Sequence, residues 1–218
     1  MSAPEYKLTE EKVQIFMRQI IQGLEYIHHL NIVHLDIKPY NILFSDKVTI
    51  LTASNHGVSC KHVPQNSDFG LKIIDFGLAR ELGDEKEVEI GKLQGTVEFM
   101  APEVMNCKTA TFSADMWSVG VVTYMLLTGG KSPFYGGSRY RTMAKSLSCE
   151  YDLDVPELSH TSEEAKDLVR HLLLMEQTER LTSSECLAHP WLSGADIYID
   201  VLHELETSWM RSCLARRR

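Results

Sequence analysis

Apolar positions recur along the chain in two rhythms, separated by stretches that follow neither. Val13, Phe16, Met17, Ile20, Ile21, Leu24 and Ile27 follow one another at spacings of three and one, which is a single helical face. Thr9 stands where an N-cap belongs, and Glu10 and Glu11 set negative charge against the positive end of the helix dipole. From Asn31 to Leu43 the pattern shortens into strand-like fragments around a loop. Residues 45–70 lose periodicity and fill with Ser, Asn, His and Gly, which predicts a long surface excursion; a short apolar strand, Leu71 to Ile74, follows it. Residues 78–100 are again aperiodic, with Glu81, Asp84, Glu85, Glu87 and Glu89 gathered in them. Asp115 to Thr128 is apolar nearly all round and predicts a buried central helix, ended by Gly129, Gly130 and Pro133. Thr161 with Glu164, and Thr182 with Glu185, have the spacing of capping boxes; the helix after the first carries Ala165, Leu168, Val169 and Leu172. The fold class that follows is mainly α, with a little β structure near the first loop.

Composition narrows the classes. A length of 218 residues fits one domain or a large lobe of a bigger unit. Apolar and charged shares of 44% and 24% exclude a disordered tail, a collagen and a disulfide miniprotein. The net charge of −8 argues against a nucleic-acid partner. Cys60, Cys107, Cys149, Cys186 and Cys213 are odd in number and scattered, as free thiols of a reducing compartment are. The longest apolar stretch, Val119 to Leu127, is far short of the ~20 residues of a membrane span. The first residues carry no apolar core of a signal peptide, so the expectation is a soluble, cytoplasmic chain, with cytoskeletal or nuclear association left open.

The chemistry-bearing types sit mostly in the aperiodic stretches. His34-Leu35-Asp36-Ile37-Lys38-Pro39-Tyr40-Asn41 places an acid, a lysine and an amide close together. Asp75-Phe76-Gly77 follows the short apolar strand. Then come Gly95-Thr96-Val97-Glu98, Ala101-Pro102-Glu103, Asp115-x-Trp117-x-x-Gly120, Arg180 and His189-Pro190-Trp191. Asp36, Asn41 and Asp75 also have a plainer reading as turn residues. A second Asp68-Phe69-Gly70 lies inside the irregular stretch with no apolar strand before it, so Asp75 is preferred. His28, His29 and His34 read as packing and capping histidines.

In order and spacing these motifs resemble the C-terminal lobe of a eukaryotic protein kinase, over roughly residues 7–192. The resemblance implies a protein-kinase-like C-terminal lobe, helical with a short β-strand pair at the catalytic loop, without an N-terminal lobe. It implies ATP and Mg²⁺ as cofactors and a protein substrate. Carried over by motif, Asp36 accepts or orients the substrate hydroxyl's proton and Lys38 sets positive charge beside the transferring phosphoryl group. Asn41 and Asp75 supply oxygen ligands to Mg²⁺. Thr96 bonds to Asp36 and Lys38 and lines the substrate floor. Glu103 and Arg180 form a buried ion pair, and Asp115 holds the catalytic loop from below.

His-Leu-Asp, Ser132-Pro133-Phe134 and His189-Pro190-Trp191-Leu192 look like the myosin-light-chain-kinase and death-associated-kinase branch of the calmodulin-dependent group. Leu35 replaces the arginine many kinases carry before the catalytic Asp, and Thr96 is the only hydroxyl between Asp75 and Glu103. Phosphorylation of that segment is therefore not expected as a switch. Residues 193–218 read as a tail: Leu202, Leu205, Trp209, Met210 and Leu214 at near-helical spacing with Arg211, Arg216, Arg217 and Arg218, the start of a calmodulin-binding segment or a plain terminal helix. Tyr40 stands where basic-directed relatives have Glu, residues 45–67 form an insert, and residues 1–8 resemble a hinge remnant. No Gly-x-Gly-x-x-Gly precedes the catalytic loop. The expected function is a serine/threonine protein kinase by family, inactive as this chain alone; the alternative is a catalytically silent binding module or decoy.

Overall fold

The first helical face folds as its spacing requires: α1, Glu10–His29, buries Val13, Phe16, Met17, Ile20, Ile21, Leu24 and Ile27, and Ile15 with them. The computed structural model describes the backbone of residues 8–45, 49–54, 57–62 and 70–193, and the side chains of 8–43 and 70–193. Thr9 holds the N-cap position, but its side chain makes no capping bond. Glu10 is instead turned onto distant elements. Its carboxylate accepts from Ser162 N at 2.9 Å, from the Ser162 hydroxyl and from Trp191 Nε1 at 2.9 Å.

After α1 the chain enters short strands: β1 (Ile32–Val33), β2 (Ile42–Ser45), β3 (Thr49–Ser54), β4 (Gly57–His62), β5 (Gly70–Ile73), β6 (Arg80–Glu81) and β7 (Val88–Glu89). Helix α2 (Pro102–Met105), strand β8 (Thr109–Ala110) and the long helix α3 (Ser113–Leu127) follow. Helices α4 (Arg139–Leu147), α5 (Glu163–Leu172), α6 (Ser183–Ala188) and α7 (Pro190–Ser193) complete the order. Among the described residues the strands form four antiparallel pairs, β1–β6, β2–β5, β3–β4 and β7–β8. The stretch expected to be irregular therefore contains a regular hairpin, with Thr49 opposite His62 and Ser54 opposite Gly57. Backbone pairing needs no apolar alternation, and these strands carry little. Asp68 and Phe69 of the second Asp-Phe-Gly, and the basic pattern of residues 202–218, lie outside the described residues.

The core lies between α1, α3 and α5. Helix α3 is buried except at Ser113 and Met125, which explains why its sequence is apolar all round. Gly120 lets the end of α5 approach: a side-chain carbon there would stand 2.8 Å from Leu173 and 2.9 Å from Leu172. Trp117 stacks on Phe134 with centroids 5.2 Å apart. Gly129 and Gly130 end the helix as expected, both at positive φ.

Thr182 and Glu185 form the capping box read from their spacing, with Thr182 N donating to Glu185 Oε2 at 2.8 Å and Glu185 N to Thr182 Oγ1 at 3.2 Å. The other box is displaced by one residue. Ser162, not Thr161, caps α5, accepting from Ala165 N at 3.1 Å. Its register is set by Glu10, which grips Ser162 from across the fold.

His189 accepts from Trp191 N through Nδ1 at 3.2 Å, so its ring proton lies on Nε2 and donates to Asp167 Oδ2 at 3.0 Å. Asp167, His171 and His189 thus lie close together, but as a capping arrangement in which the His189 lone pair is already used. Three carboxylates are held below their ordinary range: Glu163 by hydrogen bonds from Lys166 and Arg170, Asp167 by the bond from His189, and Glu185 by the Thr182 N–H and hydroxyl. A lowered folded pKa gives stability that is present above the unfolded value and lost as the pH falls through the folded one. The melting temperature is therefore expected to drop below about pH 4, with a shallower drop in Asp167→Asn; identical slopes in the two proteins would contradict the assignment.

Candidate active site

The loop from His34 to Asn41 has few regular backbone bonds, and a buried carboxylate supplies what is missing. Asp115, at the start of α3, accepts from His34 N through Oδ2 at 2.8 Å and from Leu35 N through Oδ1 at 2.8 Å. It also takes a 3.0 Å bond from His28 Nε2, whose ring stacks on Phe112. Asp115 is fully buried, and these three donors are what make that burial tolerable. They also hold Leu35 at φ +62°, a left-handed conformation that costs a non-glycine residue about 1–3 kcal/mol.

The loop then folds back on Asp36. Lys38 Nζ donates to Asp36 Oδ2 at 2.6 Å, and Asn41 Nδ2 donates to the same oxygen at 2.9 Å and to the Asp36 carbonyl at 2.8 Å. The Pro39–Asn41 turn that brings Asn41 round begins with proline, whose fixed φ suits a first helical position. Oδ1 of Asp36 faces Gly95: a side-chain carbon at residue 95 would stand 3.6 Å from it. Thr96 Oγ1 accepts from Lys38 Nζ at 3.3 Å. No hydrogen bond joins Thr96 to Asp36 among the described residues, so the link between them runs through the ammonium.

Asp75 comes from another part of the chain and is brought alongside by the β2–β5 pair. Ile42 lies opposite Ile73, and one further backbone bond, Ile74 N to Asn41 O at 2.9 Å, carries the pairing to the residue before Asp75. Asp75 itself is left-handed, φ +64° and ψ +71°, with Oδ1 accepting from Gly77 N at 3.3 Å. His34 fastens the two segments. Its Nδ1 accepts from Asp36 N at 3.3 Å, which leaves the ring proton on Nε2 to donate to the Ile74 carbonyl at 3.1 Å. Its ring meets Phe76 edge-on, with centroids 4.8 Å apart. His34 is fully buried. The sequence marked it for packing and capping, but nothing in its spacing showed that it would tie the Asp36 loop to the Asp75 strand.

Below the site, Glu103 and Arg180 meet as a buried two-pronged pair, Nη1 to Oε1 at 2.7 Å and Nη2 to Oε2 at 2.8 Å. Arg180 also donates through Nε to Leu174 O at 2.7 Å and through Nη1 to Ser113 O at 3.1 Å, and its guanidinium lies 5.0 Å from the Trp117 ring centroid. Glu103 follows the Gly95–Phe99 segment closely, so this pair anchors the floor beside Asp36 to α3 and the loop after α5.

This site and fold define a protein kinase domain. The sequence model of the protein kinase domain family matches residues 2–192, and the chain belongs to that family. Its relatives fall in the branch that His-Leu-Asp and Ser-Pro-Phe indicated. Death-associated protein kinase 2 of Mus musculus is 41% identical over 194 residues, 89% of this chain and 47% of that protein. Myosin light chain kinase family member 4 of Mus musculus is 43% identical over 191 residues, 88% of this chain and 44% of that protein. Myosin light chain kinase 3 of Mus musculus is 43% identical over 188 residues, 86% of this chain and 21% of that protein. The chain thus spans less than half the length of the curated relatives it matches. No helix of the described residues is long and apolar enough to cross a membrane.

Proposed function

We propose that this chain carries the hydroxyl-activating and metal-binding side of a serine/threonine protein kinase site, with ATP as phosphoryl donor and a protein hydroxyl as acceptor. The observation that supports it most is the tie made by His34, through which Asp36 and Asp75, far apart in sequence, share one rigid frame. Asp36 keeps Oδ2 occupied by Lys38 and Asn41 while Oδ1 faces the Gly95–Thr96 floor, where an acceptor hydroxyl would stand. Such a carboxylate orients the hydroxyl and takes its proton as attack proceeds. Lys38 holds its charge between Asp36 and Thr96, where it would meet the oxygens of the transferring group.

Mg²⁺ fits the remaining groups. Asn41 spends its amide NH₂ on Asp36, which leaves its carbonyl oxygen as a ligand, and Asp75 adds a carboxylate; both are hard oxygen donors. The ion would neutralise charge on the donor's phosphates. The left-handed backbone at Asp75 is the kind of strain that gathers at working sites.

A silent binding module is the second reading, favoured by one feature: no Gly-x-Gly-x-x-Gly stretch occurs within these 218 residues. A polypeptide of these residues alone is therefore expected to transfer phosphate far below the ~1–100 s⁻¹ of protein kinases. Mg-ATP should nonetheless raise its melting temperature, and less so in Asp75→Ala. Stabilisation by calmodulin, through the basic pattern of residues 202–218, without any by Mg-ATP would favour the module. Free thiols at Cys107, Cys149 and Cys186 are consistent with a cytoplasmic setting.

A further inference from the structure

The strongest unassigned feature lies on the exposed side of α4. The chain carries a net charge of −8, yet no Asp or Glu occurs between Asp115 and Glu150, a stretch that holds Lys131, Arg139, Arg141 and Lys145. Lys131 meets Glu157, but Arg139, Arg141 and Lys145 have no ion-pair partner among the described residues. Two large aromatics accompany them: Tyr140 is 85% exposed and Tyr135 is 64% exposed. Neither ring contacts another aromatic among the described residues.

This face is built rather than loose. Gly136 N donates to Thr142 Oγ1 at 3.1 Å, Arg141 N to the Ser138 hydroxyl at 3.4 Å, and Thr142 and Ser146 are buried beneath. Gly136 packs so closely on α4 that a side-chain carbon there would lie 2.5 Å from Arg141 Cβ, which fixes the backbone next to Tyr135 against the helix. Between them runs a groove of about 480 Å³ lined by Tyr135, Arg141, Ala144, Lys145, Ser148 and Glu150.

We infer that this face of α4 is a docking surface for an acidic peptide segment of a protein partner, carrying an apolar side chain for the groove. The charge selects carboxylates, which Arg can grip with two parallel hydrogen bonds. The tyrosines supply wide contact area at the cost of only two side-chain torsions each, and Tyr and Arg are the types that dominate interface energetics. Because the turn and helix are fixed before binding, little ordering cost opposes association. No residue lining the groove belongs to the Asp36 site, and the inference does not rest on phosphoryl transfer, so binding is measured without turnover.

The test is fluorescence anisotropy with the 218-residue protein and a labelled, Glu-rich peptide of about twelve residues with a central Leu, beside a control with Lys for every Glu. Expected are binding of the acidic peptide only, about tenfold weaker in Arg139→Glu/Lys145→Glu and about fivefold weaker in Tyr140→Ala. Added salt should erode the first difference and leave the second. Tyr140 is exposed enough that its replacement should leave the melting temperature unchanged, which separates lost docking from lost fold. No binding up to about 1 mM peptide would overturn the inference, as would equal affinity in all three proteins. So would Tyr140-dependent self-association or capture of phosphatidylserine vesicles in place of the peptide.

Discussion

Replacing Glu103 by Leu is expected to destabilise the fold by about 3–5 kcal/mol, a large fraction of the ~5–15 kcal/mol that holds a domain together. The cost does not come from a lost attraction alone. Arg180 is buried, and without Glu103 its guanidinium would keep hydrogen bonds to the carbonyls of Leu174, Ser113 and Met175 and its place over the Trp117 ring, with no carboxylate bonded to it among the described residues. Arg180→Met should cost a similar amount, because it strands the carboxylate and takes the donor from those carbonyls. The double variant, Glu103→Leu with Arg180→Met, should recover much of the loss, since apolar residues of similar size remove both desolvation penalties. Urea unfolding of the four proteins measures this directly. A double variant as unstable as the sum of the singles would show that the pair does not act as a unit.

Replacing Asp36 by Asn should have the largest effect on chemistry, lowering Mg²⁺-dependent transfer from radiolabelled ATP to a serine peptide by about 10²–10⁴-fold. The amide keeps the size of the carboxylate but cannot take a proton, and it loses the charge that Lys38 and Asn41 now meet. Nucleotide affinity should change little, because the expected metal ligands are Asn41 and Asp75. Single-turnover kinetics separate the two quantities and remain usable where turnover is slow. Transfer undiminished in Asp36→Asn would remove the residue from the reaction.

Much of this frame was legible in the sequence, wherever one residue type has one physical use. The α1 face, the all-round apolar α3 and the Thr182–Glu185 box appear as their spacing predicts, and the Glu103–Arg180 pair and the clamp made by Asp115 appear as the kinase resemblance implied. What was illegible depends on partners far along the chain. Ser162 rather than Thr161 caps α5 because Glu10 reaches it from the other end of the sequence. The β3–β4 hairpin rests on backbone pairing, which side-chain alternation did not announce. His34 could serve as a tie only once β2 and β5 had brought the Ile74 carbonyl to its ring, and the left-handed turn at Leu35 needs Asp115 to hold it. Among the described residues the Thr96 hydroxyl bonds to Lys38 and not to Asp36, where a bond to both was expected.

Whether Asp36, Asn41 and Asp75 serve one site can be measured without turnover. Mn²⁺ substitutes for Mg²⁺ and broadens nearby amide resonances, so a titration with Mn-ATP reads which segments meet the metal. Broadening should reach residues 36–41 and 75–77 at the same concentrations and vanish from both in Asp75→Ala. Broadening of one segment without the other, or a signal centred on Asp167, His171 and His189, would contradict a shared phosphoryl-transfer site.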